Sequence, residues 1–315
     1  MRYEPLSDCL RDLKSTADLF PGYPKRFPVP SSKLNWDEPF PEYNPPYYTS
    51  ERILKMTEEG RADPEDPRQL NFHDPKKYYS LHQLKFQEDK DRISIDPAQP
   101  KNCSGFKLDN DGYPLNPLGR TGIRGRGACK HWGPIQASDA VLTRLNPQAH
   151  LLEVLTIERA DNGEIAFPGG KLDPEEFHKH AALRELQEEA VVLKAPLYFF
   201  NEEIVFVGVM ADPRNTDNAW YESRVFHKHI TPEQEKQLLL RPSSDAKRVD
   251  WRSITPDLLS HMFAGHGQIL KFILHQMLEE EKKIWAIAEQ RRSYIRAQIV
   301  STIGLPKNDR DQQKH

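Results

Sequence analysis

An α+β domain is expected in the second half of the sequence, preceded by a smaller, irregular N-terminal domain. Three observations predict this. Leu151–Glu158 (LLEVLTIE) and Ile204–Met210 (IVFVGVM) are β-rich runs, with shorter strands expected at Val141–Leu145 and Glu222–Phe226. A charged helix is expected between them over Asp173–Val191, and a second from about Gly267 to Glu289, reaching toward Val300. Fourteen of the 26 prolines precede residue 101, so regular structure is sparse there.

Phe20–Tyr48 (PGYPKRFPVP…NPPYY) should be extended, because each proline fixes φ and removes a backbone donor. Its tyrosines, phenylalanines and Trp36 set it apart from an aromatic-poor disordered linker, so it reads as an arm laid along another surface. Residues 50–100 are highly charged, with one short helix near Ser50–Glu58. Turn signals fill Lys107–Gly127, including GRTGIRGRG at Gly119–Gly127. That loop lacks the lysine-serine ending of a P-loop and the strand-to-helix setting of a dinucleotide fingerprint. It is expected to be a domain-packing loop near the cleft, with contact of its arginines to an anionic ligand as the lesser reading. The expected division is 1–115 for the N-terminal domain, 116–278 for the main domain and 279–315 for a helical extension.

Within the main domain, Asp173 is a natural N-cap, Pro174 suits the first helical turn and Glu176 completes a capping box. Ala182, Leu186, Ala190 and Leu193 form the face that docks on a sheet. In the later helix Ile269, Ile273, Met277 and Leu270, Leu274, Leu278 share one side.

The chain has 315 residues, enough for one large or two modest domains, and a formal net charge of −3. That charge gives no argument for nucleic-acid or anionic-membrane binding. Cys9, Cys103 and Cys129 are odd in number and form no CxxC pair, as expected of reduced thiols and not of a disulfide frame or a zinc site. No run approaches the ~18–20 apolar residues that a membrane span needs. Met1–Phe20 lacks an apolar core and carries Glu4, Asp8, Asp12 and Asp18, unlike a secretory or mitochondrial leader. A cytoplasmic protein without direct membrane insertion is expected, on the cytosolic face of a membrane if part of a channel.

The chemistry is concentrated in Arg184-Glu185-Leu186-Gln187-Glu188-Glu189. Glu185, Glu188 and Glu189 stand at i, i+3 and i+4 and share a helix face. Like charges so placed destabilise a helix unless neutralised, and a hard divalent cation would do so through carboxylate oxygens. Taken alone, the string reads first as a solvated acidic face balanced by Arg184. The wider pattern favours the cation reading. Phe167-Pro168-Gly169-Gly170, then five residues, Glu176, seven residues and RELQEE reproduce the spacing of the Nudix box, and the chain resembles that hydrolase family. One departure is Val191, where the box has glycine.

The resemblance implies an α/β/α sandwich around a mixed sheet. It implies magnesium, with manganese as a substitute, held by the Gly169 carbonyl and by Glu185, Glu188 and Glu189. Glu176 and Arg184 would orient that cluster, and a water would attack phosphorus in line.

Asp212-Pro213-Arg214-Asn215-Thr216-Asp217-Asn218-Ala219-Trp220 follows a predicted strand, and Arg214 can clamp a phosphate bidentately. On composition alone it reads equally as a well-capped Asx-rich loop. With Asn116–Gly127, Trp132-Gly133-Pro134 and Phe263-Ala264-x-His266, it resembles the two-domain ADP-ribose pyrophosphatases and the related C-terminal domain of ADP-ribose-gated melastatin-type TRP channels. The arm is more similar to the channel domains. The resemblance implies ADP-ribose as ligand, cleaved to AMP and ribose 5-phosphate, or bound without cleavage as a sensor in a longer channel polypeptide. It places Asp212, Arg214 and Asp217 near the diphosphate or ribose, and Gln136, Phe263 and His266 along the cleft. The family often has histidine where Gln136 stands and tyrosine where Phe263 stands. Asp245 resembles the acidic residue of the loop that closes many such sites and is a candidate to orient water or act as general base; it reads equally as a turn carboxylate before a strand.

Overall fold

The computed structural model describes residues 20–70, 94–95, 106–146, 148–173, 176–200, 203–242 and 246–282. Asp245 and the expected helical extension beyond residue 282 lie outside the described residues.

The proline-rich arm is irregular, interrupted by turns and a 3-10 turn at Ser31–Lys33, and leads into β1 (Tyr47–Thr49) and α1 (Glu51–Glu58). α1 matches the expected short helix and buries Ile53 and Met56, three apart on one face. A two-residue hairpin, β2 (Lys107–Leu108) with β3 (Pro114–Leu115), precedes β4 (Arg124–Gly127), which pairs in parallel with β1. The glycine-arginine loop fastens the arm. Arg120 Nη1 donates to the carbonyls of Lys33 and Asn35 at 2.7 and 2.6 Å, and its guanidinium lies 5.1 Å from the Trp36 ring centre. Arg126 is fully buried, donates to the Asp63 carbonyl and the Thr57 hydroxyl, and lies over Trp132. Gly122 must be glycine: its φ is +84°, and a Cβ there would lie 2.4 Å from the Phe27 carbonyl oxygen of the crossing arm.

A seven-stranded sheet forms the centre. Its strands are β5 (Gly133–Leu145), β6 (Leu152–Arg159), β7 (Ile165–Ala166), β8 (Gly169–Lys171), β10 (Ile204–Val209), β11 (Ala219–His229) and β13 (Ala246–Ser253). The main path is β10-β11-β5-β6-β13, with β7 on β6 and β8 on β5. β11 and β5 are parallel and the other pairs antiparallel, so the sheet is mixed and the class is α+β as expected. β5 begins eight residues before its expected start, at Gly133 and not Val141. Gln136, Ser138 and Asp139 hide it, being polar residues buried within a strand.

The acidic helix, α2 (His178–Glu189), starts later than the expected Asp173. Half of the expected capping box forms, with the Asp173 N–H donating to Glu176 Oε2 at 3.0 Å. The same carboxylate is drawn onto Arg184, so the chain turns there and enters the helix only after Phe177. Ala182, Leu186 and Ala190 are fully buried against Leu142, Leu155 and Phe226 on the sheet. Burying a leucine side chain is worth about 1.5–3 kcal/mol, so Leu186 is a principal anchor of the helix. Leu193 belongs to the next element, β9 (Val191–Leu193), which pairs with β12 (Leu238–Leu240). Val191, at the box glycine's position, is buried as the first residue of that strand.

A helix covers 266–282, and from Leu270 onward the chain forms a second compact unit. Leu278, expected on its apolar side, is exposed. Among the described residues no helix is long and apolar enough to cross a membrane.

Candidate active site

β8 brings the acidic helix to the sheet edge. It pairs antiparallel with β5 in the register Ala137↔Lys171, Ser138↔Gly170, Asp139↔Gly169. Both glycines are needed for close approach. A Cβ on Gly169 would meet Asp139 Oδ1 at 2.1 Å, and one on Gly170 would meet Glu185 Oε1 at 2.3 Å. The Gly169 N–H donates to Glu189 Oε2 at 3.0 Å, tying the end of α2 to the loop before it.

Arg184 organises the carboxylates. Its Nε and Nη2 donate to Glu176 at 3.0 and 2.8 Å, a bidentate pair. Its Nη1 donates to Glu185 at 2.8 Å and Glu188 at 3.0 Å, and Nη2 also reaches the Lys171 carbonyl at 3.0 Å. Burial pushes the Glu176 carboxyl up, but its bonds from Arg184 bring it net below the ordinary value.

A cleft of about 470 Å³ opens beside this cluster, within the ~300–1,000 Å³ range of small-molecule sites. Its lining includes the carboxylates Glu185, Glu189, Asp139 and Asp212 and the cations Arg214, Lys171, Arg159 and Arg184. Burial, reinforced by Glu185 and Asp139, pushes Glu189 up to about 8. Burial likewise pushes Asp139 up to about 7, with Glu185 adding to it, while Ser223 donates to Asp139 Oδ2. Carboxylates held so uncomfortably in their charged form suit a cation.

The donor set is all oxygen, as a hard divalent ion requires. Glu185, Glu189 and the neighbouring Gly169 carbonyl are the residues that fit. Among the described residues no three acidic, histidine or cysteine groups enclose an ion by themselves. A magnesium-type ion, which keeps waters and takes phosphate oxygens, does not need them to. Glu188 differs from the other two: its side chain is 59% exposed, it is paired with Arg184, and it does not line the cleft.

Arg214 also lines the cleft. Its Nε and Nη2 donate to Asp212 at 2.8 and 2.6 Å, and its guanidinium sits 4.0 Å from the Tyr221 ring centre. Burial raises the Asp212 carboxyl, but the charge and hydrogen bonds of Arg214 bring it net below its ordinary value, so the pair is ionised. The loop is buttressed from the arm. The Tyr23 hydroxyl donates to the Arg214 carbonyl at 2.9 Å, and Arg26 Nη2 donates to the carbonyls of Pro213 and Asn215.

His266 and Phe263 line the cleft. His266 stacks on Phe167 at 4.6 Å, and its Nδ1 accepts from the Phe167 N–H at 3.0 Å. Burial and the Arg159 charge push the imidazole down to about 3, so it is neutral, with its proton on Nε2 facing Asp139 3.9 Å away.

Two expected ligand residues are placed elsewhere. Asp217 is 1% exposed and lies outside the cleft lining. It accepts from the Tyr43 hydroxyl at 2.6 Å and from the Thr121 N–H and hydroxyl at 2.6 and 2.8 Å, so it serves the arm. Gln136 is buried and bonded to His178 Nε2 at 2.9 Å. Strand alternation turns Ala137 and Asp139 into the cleft and Gln136 away from it. Conversely, the sequence reading passed over Asp139, Arg159, Lys171, Tyr221 and Ser223, all of which line the cleft. The same alternation, counted from Gly169, would have found Lys171.

Residues 29–133 match the family model of the NUDT9-like N-terminal domain, and residues 134–273 that of the NUDIX domain. The chain is 31% identical over 288 residues to the mitochondrial ADP-ribose pyrophosphatase of Rattus norvegicus, spanning 82% of this chain and 77% of that one. It is 29% identical over 291 residues to the transient receptor potential cation channel subfamily M member-like 2 of Nematostella vectensis. That match spans 85% of this chain and 18% of the channel.

Proposed function

Because the chain belongs to the Nudix hydrolase family, in its branch with a NUDT9-like N-terminal domain, we propose that it cleaves the diphosphate of ADP-ribose to AMP and ribose 5-phosphate. The observation that carries this reading is that one cleft is lined both by carboxylates, Glu185 and Glu189 among them, and by cations, Arg214 and Lys171 among them. A diphosphate needs both: positive groups to hold its oxygens, and carboxylates to hold the divalent ion, Mg²⁺ or Mn²⁺. ADP-ribose is favoured among diphosphates by the activity named for the rat relative.

Glu185, Glu189 and the Gly169 carbonyl would hold the ion, which when bound neutralises diphosphate charge and activates water. Arg184 keeps Glu185 in place through the bond at 2.8 Å, with its other edge anchored on Glu176. Arg214 is held edge-on by Asp212, so its remaining edge meets a phosphate without reorganisation. Neutral His266 offers an Nε2–H donor to a ligand oxygen. In the reaction the water oxygen bonds to phosphorus as the bridging P–O bond breaks, giving two phosphate monoesters.

A second reading has its own support, the likeness to a channel of which this chain spans 18%. There the cleft would bind ADP-ribose as a sensor within a longer polypeptide. Glu185 and Glu189, both facing the cleft, favour hydrolysis, since a sensor does not require them. To test substrate choice, ADP-ribose, an ADP-hexose and diadenosine tetraphosphate would be compared at equal concentration with Mg²⁺. ADP-ribose should give the highest kcat/KM, and a tenfold preference for either competitor would overturn the assignment.

A further inference from the structure

We propose that Lys171 is the principal free cation of the ligand-binding cleft and, with Arg214, forms a clamp for the phosphate oxygens of the ligand. The inference rests on the diphosphate reading above and adds the residue that sets affinity for the ligand's charge.

Three features carry it. First, Lys171 and Arg214 converge from different elements, the end of β8 and the Asp212–Trp220 loop, onto one aromatic platform. Lys171 Nζ is 5.6 Å and Arg214 Cζ 4.0 Å from the Tyr221 ring centre. Two like charges around one ring repel, and an anion between them relieves the repulsion.

Second, the two cations differ in what charge they have left to offer. Asp212 takes the Nε and Nη2 edge of Arg214 as a bidentate ion pair, leaving that pair neutral overall. The Lys171 ammonium makes no hydrogen bond or ion pair with a side chain or backbone group among the described residues, so its full charge faces the ligand. Arg214 then contributes directional donors and Lys171 contributes net charge.

Third, Lys171 is placed firmly. Its backbone is paired with Ala137 across the sheet, and its carbonyl accepts from Arg184 Nη2 at 3.0 Å. The guanidinium that aligns Glu185 therefore also fixes the strand that presents Lys171.

A contact that holds the diphosphate equally in the ground state and the transition state lowers KM without raising kcat. Lys171→Met keeps the length of the side chain and removes the charge; Lys171→Arg keeps the charge. With ADP-ribose and saturating Mg²⁺, Lys171→Met should raise KM about tenfold or more with kcat within about threefold, and Lys171→Arg should stay within about threefold of wild type on both. Should wild type not turn over ADP-ribose, the substrate reading fails and the clamp is read separately. In that case calorimetry with methylenediphosphonate, in EDTA, should show binding weakened about tenfold or more by Lys171→Met and largely kept by Lys171→Arg. Equal KM, or equal diphosphonate affinity, in wild type and Lys171→Met would overturn the proposal, as would a loss confined to kcat.

Discussion

Two stretches of this chain line the same cleft and are built in opposite ways. The segment from Gly169 to Glu189 is assembled locally. Arg184 binds Glu176, Glu185 and Glu188, all within eight residues, and Gly169 meets Glu189 twenty residues on. The Asp212–Trp220 loop is assembled from afar. Tyr23 and Arg26 reach it across nearly two hundred residues, and Tyr43 and Thr121 across roughly half that or more. Side-chain spacing alone conveys the first region's chemistry. The second region's chemistry depends on which of its polar residues the arm claims and which it leaves for a ligand. Asp217 goes to the arm and Arg214 to the cleft.

The largest test of this contrast is Glu189→Gln, which removes a cleft carboxylate from the local region while keeping its shape. We expect kcat for ADP-ribose to fall by about a hundredfold or more, with KM changed far less. Glu188→Gln should cost much less, because that side chain points to solvent and Arg184. Equal losses from the two variants, in parallel steady-state assays, would mean that the cleft rearranges before it acts.

In the distant region, Arg214→Ala should raise KM about tenfold or more. It should also lower stability by about 3 kcal/mol, because it strands the buried Asp212 carboxylate. Denaturant unfolding separates the two effects, and a double variant Asp212→Asn/Arg214→Ala should recover stability without recovering KM. Asp217→Ala should do the reverse. It removes the acceptor for three donors, one from the arm and two from Thr121 of the glycine-arginine loop, and costs about 1–3 kcal/mol, yet leaves the KM of the residual folded enzyme within about threefold. A large KM change there would place Asp217 back in the site.

The smallest effect expected is a dependence of stability on pH. In the metal-free protein Glu189 titrates near 8 when folded, against an ordinary 4.5, chiefly because it is buried. The folded state therefore holds a proton that the unfolded state has lost. The associated stability is complete below about pH 4.5 and is lost as pH rises through 8. With EDTA present, Tm should decline between pH 6 and 9, and Glu189→Gln should decline less. Superimposable Tm profiles would show that Glu189 is not strained in this way.

The same contrast explains how much could be read from the chain alone. Strands β6 and β10 fell close to their expected places because apolar runs marked them, and β11 extends three residues beyond its expected span at each end. The first half of β5 was invisible because Gln136, Ser138 and Asp139 are polar and buried for the sake of the cleft and its neighbours. The start of α2 was misplaced because Asp173 and Glu176 look like a capping box while Arg184, eight residues downstream, takes the carboxylate. Among site residues, spacing placed Glu185 and Glu189 together. It could not separate Asp212 from Asp217, because both lie in the same polar loop and only tertiary contacts distinguish them.

The most direct measurement is AMP release from ADP-ribose by purified wild-type chain and Glu189→Gln, with Mg²⁺ and then with EDTA. The account predicts stoichiometric AMP and ribose 5-phosphate from wild type with Mg²⁺, and loss of about a hundredfold or more from the variant. It also predicts no turnover in EDTA. Tight binding of ADP-ribose by the wild type, with no AMP formed under any of these conditions, would contradict it and leave a sensor in place of a hydrolase.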